Sequence, residues 1–517
     1  MERPSYRIGI QFSVLSYCAL MVLGLLSSVV IARLYGIGII GENALSLAPI
    51  LVLAYLSTVR EQAGLVRELV VLPPRAPQIA ALFYVVLTFS VALTLLAATV
   101  VIVGAWFVFD GPVGRPDLFL PALVQTAGFV LFTNSSWNVD MVLSAFRAGR
   151  ELFWVRLMQA MSFLLIAISL GLVWRSVWAL VTAMVGSLLT GFLHRLVLLS
   201  RFMTATAPRA DLRAALYKLP GIIRYGMRIA PGIAADGLSR AGPTLIIGAV
   251  MPLTAVGAYS RAATLGDRVG DVNVKVGEML FPTLVERRAG TDQEGFGRAL
   301  VDTMRYLCVG VALVASAGGG AARGVMDIFG AGFSEGAVAL TLLLGCAAVA
   351  SFAGCVTLAL YAIERLVITT IIAVVRLVTV IPFCIVMTLE FGVTGAALAL
   401  VVTQIGQLAS LYLVARPSIG GALRKYWPLR ERLALAASYG IGLVGAGVVD
   451  AAVSGFSGTI AALLTGSTSF ALTFQALRGV NARDYERIRS AREGWRARRA
   501  GVSVASAAPG PPEVPRL

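Results

Sequence analysis

Residues 259–275 read YSRAATLGDRVGDVNVK, an unusually charged stretch for a chain that is only 14% charged. Arg261, Arg268 and Lys275 recur every seven residues, so on one helix they share a side, and Asp271 stands four before Lys275, where it offsets part of that charge. Asp267 adds a further carboxylate between them. A second group, Arg224, Arg228, Asp236 and Arg240, is spaced by four, eight and four, which predicts one slowly drifting helical stripe. A third lies in FTNSSWNVD, where Asn134, Trp137, Asn138 and Asp140 offer amides, a carboxylate and an indole. Such groups either hydrogen-bond between helices or contact sugar hydroxyls while the indole stacks on a ring face. Bond-making chemistry is not indicated: no carboxylate pair, nucleophile with its base, or metal-like Cys/His spacing occurs, and His194 is the only histidine.

The elements that must carry these groups follow from composition. Of 517 residues, 58% are hydrophobic, and they gather into runs near the roughly 20 residues that a spanning helix needs. Fourteen crossings are predicted, at about 11–33, 43–60, 79–109, 118–144, 153–173, 177–198, 222–249, 252–284, 301–319, 335–361, 367–388, 392–414, 433–451 and 455–476. With the N-terminus cytoplasmic, twenty-one Arg and Lys residues fall in the inside connections and four in the outside ones. That bias predicts a cell-membrane protein with both termini in the cytoplasm. If residues 252–284 cross the membrane, their charges cannot all face lipid, so one face of this helix looks into protein or an aqueous cavity. The same reasoning makes Arg228, Asp236, Arg240, Arg261, Asp267, Arg268, Asp271, Lys275, Asn134, Trp137, Asn138 and Asp140 cavity candidates. Arg33, Arg60, Glu61 and Arg224 are candidates for its mouths. The bland alternative remains open: Asp236 and Arg240 pair with each other, Arg224 snorkels to headgroups, and Arg60 and Glu61 are loop charge.

The spacing of the crossings repeats after six, which predicts units at 1–204 (helices 1–6) and 222–415 (helices 7–12). They are joined by a cytoplasmic linker at 205–221 and followed by helices 13–14 at 416–476 and a basic, then Ala/Pro-rich cytoplasmic tail at 477–517. In that tail RDYERIRSAREGWRARR has the pattern of an interfacial helix with a basic face. A net charge of +16 invites nucleic acid as a partner. The basic residues lie in short connections and the tail without interleaved aromatics, so membrane lipid accounts for them and nucleic acid does not. Gly36, Gly38 and Gly41 match G-x-G-x-x-G, yet they follow a membrane helix rather than a strand, so a tight turn is expected there and not a dinucleotide site. No Walker A sequence is present, and no ATP-driven pump is predicted from this chain.

Several segments in order resemble the polysaccharide and O-antigen flippases of the multidrug/oligosaccharidyl-lipid/polysaccharide exporter superfamily. They are IARLYGIGIIGENALSLAPI, VGAYSRAATLGDRVGDVNVKVGEMLFPTLVER, IFGAGFSEGAVALTLLLG and EFGVTGAALALVVTQ. The matching positions are Arg33 to Gly36, Gly257 to Ser260, Phe281 with Pro282, and Ile328 to Gly330, and the likeness covers about residues 8–415. It implies an all-α fold with two six-helix lobes around a V-shaped cavity, and alternating access that carries a polyprenyl-pyrophosphate-linked oligosaccharide outward for cell-surface polysaccharide assembly. Polysaccharide polymerase and glycosyltransferases would be its functional neighbours. No cofactor is implied; coupling to a proton, a sodium ion or the membrane potential is open. Two alternatives stand beside it. A multidrug or small-cation antiporter of the same superfamily would be opposed by excess arginine, and a membrane scaffold would hold its buried charges paired and dispensable.

Overall fold

Apolar runs of this length become helices because a backbone in lipid must satisfy its own hydrogen bonds. In a computed structural model the backbone is described for residues 6–70, 72–73, 75–146, 148–203, 207–289, 292–480 and 489, and side chains for these except 6–18, 63, 278, 279, 282 and 289. Every regular element among them is helical. Nine helices among the described residues are long and apolar enough to cross a membrane, from Ala19–Leu56 to Leu429–Ala452. The protein is therefore a multi-pass, all-α membrane protein. The tail sequence RDYERIRSAREGWRARR and both chain ends lie outside the described residues, Arg489 apart.

The first part of the chain forms α1 (Tyr6–Leu56), α2 (Glu61–Leu69), α3 (Pro77–Asp110), α4 (Phe119–Gly128), α5 (Asn134–Ala145), α6 (Gly149–Val173) and α7 (Val177–Leu199). The widened turn Phe129–Thr133 joins α4 to α5. The second part forms α8 (Arg209–Met227), α9 (Ala230–Val250), α10 (Leu253–Ala289), α11 (Gln293–Gly320), α12 (Ala322–Asp327), α13 (Ala337–Ala362), α14 (Leu366–Tyr426), α15 (Leu429–Ala452) and α16 (Phe456–Ala476).

Two long helices are each a hairpin. In α14, Gly392 has φ 58° and ψ −140°, backbone that only glycine adopts without strain. Arg365 there bonds Val414 and Arg376 bonds Gln407, so the two halves run antiparallel. In α1 the break is at Gly36 (φ 78°, ψ 169°), where the G-x-G-x-x-G stretch makes its turn. Before it, Ser28 meets Arg261 of α10; beyond it, Gly248 and Gly237 of α9 take the side chains of Leu45 and Tyr55. The turn packs on the start of α10 through two glycines, Gly41 against Leu253 and Gly257 against Ile37. A glycine seam thus lets α1 and α9 approach closely along their length.

Within the linker expected at 205–221, α8 starts at Arg209 and continues to Met227. Two segment boundaries depart from expectation. The crossing expected at 222–249 is interrupted at Arg228–Ile229, because Pro231 in the first turn of α9 has no N–H to continue the ladder from α8. Arg224 and Arg228 therefore do not share one unbroken helical stripe with Asp236 and Arg240. The crossing expected at 43–60 ends at Leu56, where Arg60 takes a left-handed φ of 59° and its N–H donates to Thr58 Oγ1 at 2.9 Å.

Candidate functional site: an arginine-lined cavity

Between α9, α10, α13 and α14 lies a cavity of about 780 Å³. Small residues keep it open, among them Gly232 on α9, Gly266, Gly270 and Gly277 on α10, and Ala347, Ala350 and Gly354 on α13. Apolar side chains contribute to its wall, among them Val274, Phe281, Leu307, Leu358 and Leu411. Among the described lining residues the charged ones are Arg60, Arg228, Arg240 and Arg376 against Asp236 and Asp267, a net charge of +2.

Each of these side chains is positioned by a local feature. Arg60 stands on the break after α1, whose backbone packs against Gly226 near the end of α8. That break is braced by Glu61, which is fully buried and accepts hydrogen bonds from Val59 N (3.0 Å), Gln62 Nε2 (3.1 Å) and Ser90 Oγ (2.6 Å). Arg228 sits in the interruption between α8 and α9. Asp236 is held from both sides: Arg240 Nη2 donates to Oδ2 at 2.7 Å, and Arg376 Nη1 donates to Oδ1 at 2.6 Å. Arg376 also donates to Gln407 Oε1 at 3.0 Å, and Gln404 Nε2 donates to that oxygen at 3.1 Å. The two arginines differ in setting, since the Arg240 side chain is 51% exposed and that of Arg376 only 4%. Asp267 faces the same space, within electrostatic reach of Arg240.

Of the sixteen sequence candidates, the structure brings Arg60, Arg228, Asp236, Arg240 and Asp267 to this cavity. Arg261, Arg268, Asp271 and Lys275, on α10, do not line it. Arg261 Nη1 instead donates to Ser28 Oγ on α1 at 2.8 Å, and the guanidinium of Arg268 lies against Gly24 of α1 with Asp271 at 3.8 Å. Arg261 and Arg268 of the seven-residue stripe therefore face α1. Arg33 donates to the Ile328 carbonyl at 2.8 Å, and Glu61 and Arg224 are outside the lining.

The polar run of the fourth crossing is also elsewhere. Asn134 and Asn138 are fully buried in the first part of the chain, Trp137 meets Phe129 edge-on, and Asp140 is bound by Arg195 Nε at 2.7 Å. None of the four is among the residues lining this cavity, and Asn138 Nδ2 donates to the Asn134 carbonyl at 3.1 Å. Arg195, one of the twenty-one basic residues that the sequence assigns to the inside connections, is a buried helical residue of α7.

Sequence reasoning missed Arg376, Gln404, Gln407 and Tyr259. A signal existed for the first: Arg376 is a single cation in the middle of LVITTIIAVVRLVTVIPF, where an ionisable side chain demands a partner.

With this geometry in place, the chain can be set beside known proteins. Among solved structures it is similar to "Lipid II flippase MurJ, inward closed conformation", at 13% identity and a TM-score of 0.66, covering 91% of this chain and 99% of that one. It is also similar to "Inward-facing conformation of a multidrug resistance MATE family transporter of the MOP superfamily", at 12% identity and a TM-score of 0.55, over 78% of this chain and 95% of that one. At these identities the likeness is one of fold. A search of curated proteins finds no match. The family profile described as "Polysaccharide biosynthesis protein" matches residues 46–309, just over half of the chain. The chain thus belongs to the polysaccharide biosynthesis protein family and carries the fold of the MOP-superfamily transporters.

Proposed function

We propose that the protein is a flippase that moves a polyprenyl-pyrophosphate-linked oligosaccharide across the cell membrane by alternating access. The observation that carries this reading is the cavity itself, four arginines against two aspartates among apolar lining side chains. Guanidinium groups match phosphate oxygens in geometry as well as charge, and apolar side chains suit an isoprenoid chain. A net charge of +2 opposes cationic drugs, which disfavours the multidrug alternative. A scaffold reading leaves the exposed guanidinium of Arg240 without a role. The family match and the fold support the reading, and the name of the MurJ relative, a lipid II flippase, points to a similar class of cargo.

With this function go the finer expectations: fourteen crossings, two six-helix lobes at 1–204 and 222–415, and both termini in the cytoplasm. The breaks in α1 and α14 support these expectations, since each would let one long helix cross twice, and the contacts of α1 with both α9 and α10 support the six-helix period. The test replaces Arg228 and Arg240 together by methionine. At normal membrane abundance, the lipid-linked sugar should accumulate on the cytoplasmic leaflet; translocation at the wild-type rate would refute the reading.

A further inference from the structure

The Asp236 carboxylate touches Arg240 and Arg376 at once, and the two arginines have opposite surroundings. The Arg240 side chain is half exposed in the cavity, whereas that of Arg376, in the cavity wall, is almost fully buried against Asp236 and Gln407. We infer that Arg376 is a positioning and charge-setting residue: it neutralises Asp236 from behind, so that Arg240 faces the cavity as an uncancelled cation. The inference rests on the proposed anionic cargo and deepens it.

Without Arg376, Asp236 would form a simple pair with Arg240, four residues away on the same helix, and the site would lose one unit of positive charge. With both arginines present the trio is +1. The Asp236 carboxylate has a further use, since its 2.7 Å bond to Arg240 Nη2 holds that guanidinium in one place. A bare arginine would fold back toward the nearest headgroup or carbonyl instead. Arg376 reaches Asp236 from the first half of α14, 140 residues away in sequence, and the turn at Gly392 brings Gln407 of the second half back against it. Its Nε finds no partner in its buried position, so the side chain is held chiefly by Asp236 and Gln407.

Compensation is the test. The full chain is purified in detergent as wild type, Arg376→Gln, Asp236→Asn and Asp236→Asn/Arg376→Gln, and binding of inorganic pyrophosphate and of farnesyl pyrophosphate is titrated beside thermal unfolding. Removing one charge at close range should weaken binding by about tenfold in R376Q. Binding should return to within about threefold of wild type in the double variant and strengthen in D236N. Thermal stability should fall in R376Q and recover in the double variant. If R376Q does not accumulate, the double variant against wild type and D236N decides on the same expectations. Wild-type affinity in R376Q, or a stable double variant that binds as weakly as R376Q, overturns the inference alone. A wild-type protein that binds neither probe overturns the proposed cargo and the inference with it.

Discussion

The Asp140–Arg195 pair separates structural charge from transport charge, and its disruption can be worked out in some detail. Arg195 donates to Asp140 twice, Nε to Oδ1 at 2.7 Å and Nη2 to Oδ2 at 3.3 Å, and its Nη1 reaches Gln159 Oε1 at 3.0 Å. Both side chains are under a tenth exposed. Removing one partner of such a buried pair costs about 3–5 kcal/mol, because a charge is left behind without compensation. Here the low end applies to Arg195→Met, since Arg156 stands 3.8 Å from Asp140 and is 42% exposed, able to move in and share the remaining charge. A loss of about 3 kcal/mol is roughly a hundredfold in the unfolding equilibrium. Asp140→Leu/Arg195→Met, which replaces the pair by apolar side chains of similar reach, should recover most of it. Thermal unfolding of the purified protein gives the stabilities, and leaflet accumulation of lipid-linked sugar, normalised to protein level, gives the transport. If Arg195→Met leaves stability unchanged but stops translocation, the pair serves transport and its assignment as a brace fails.

Three further outcomes are expected. Reporter fusions at Asp117, Asp327 and Glu390 should read outside, and those at Arg209, Glu294 and the C-terminus inside; a C-terminus outside breaks the fourteen-crossing assignment. Gly226→Leu places a side chain against the Val59 carbonyl and the Arg60 backbone, an overpacking worth about 1–3 kcal/mol, so disulfide cross-linking between cysteines placed at Val59 and Tyr225 should drop, and an undiminished yield counts against the close packing of α8 on the break after α1. Arg268→Met, whose guanidinium lies against Gly24 outside the cavity lining, should impair translocation less than Arg240→Met, by about threefold against about tenfold, with Arg268→Lys between wild type and Arg268→Met; the reverse order would move the anion site to the α1–α10 face.

What the sequence makes legible here is set by the range of the interactions. The long apolar runs declare helices because lipid leaves the backbone no other choice, and Asp236 and Arg240 declare their pairing because they are four apart on one helix. The third member of that trio could not be assigned by spacing, since Arg376 reaches Asp236 across 140 residues. Arg195 failed for the same reason, as its partner is 55 residues away and its place near a helix end mimics loop charge. Periodicity misled in one instance. Arg224, Arg228, Asp236 and Arg240 keep a helical rhythm, but Pro231 interrupts the helix that the rhythm presumes. On α10 the helix runs on for all 37 residues, yet rhythm says nothing about which neighbour the stripe meets, and Arg261 and Arg268 meet α1 at Ser28 and Gly24.

The placement of these charges bears on how binding and closure are linked. An ionised group at membrane depth is tolerated when it is paired or wet, and the cavity holds a net +2 that water alone can screen while the space is open. Occluding the empty cavity would strip that water from uncompensated guanidinium groups, the costliest step available to the carrier. A bound pyrophosphate brings charge of the opposite sign, so the loaded cavity approaches neutrality and the cost of occlusion falls with it. On the proposed reading, closure is therefore favoured by cargo rather than merely permitted by it. The return of the empty carrier has no such help and needs another source of free energy. A negative-inside potential provides about 2.3 kcal/mol per charge per 100 mV, and it acts in the useful direction on a net positive cavity turning back toward the cytoplasm. On the proposed reading a coupling ion is an addition to the cycle, whose return step the sign of the cavity already assists.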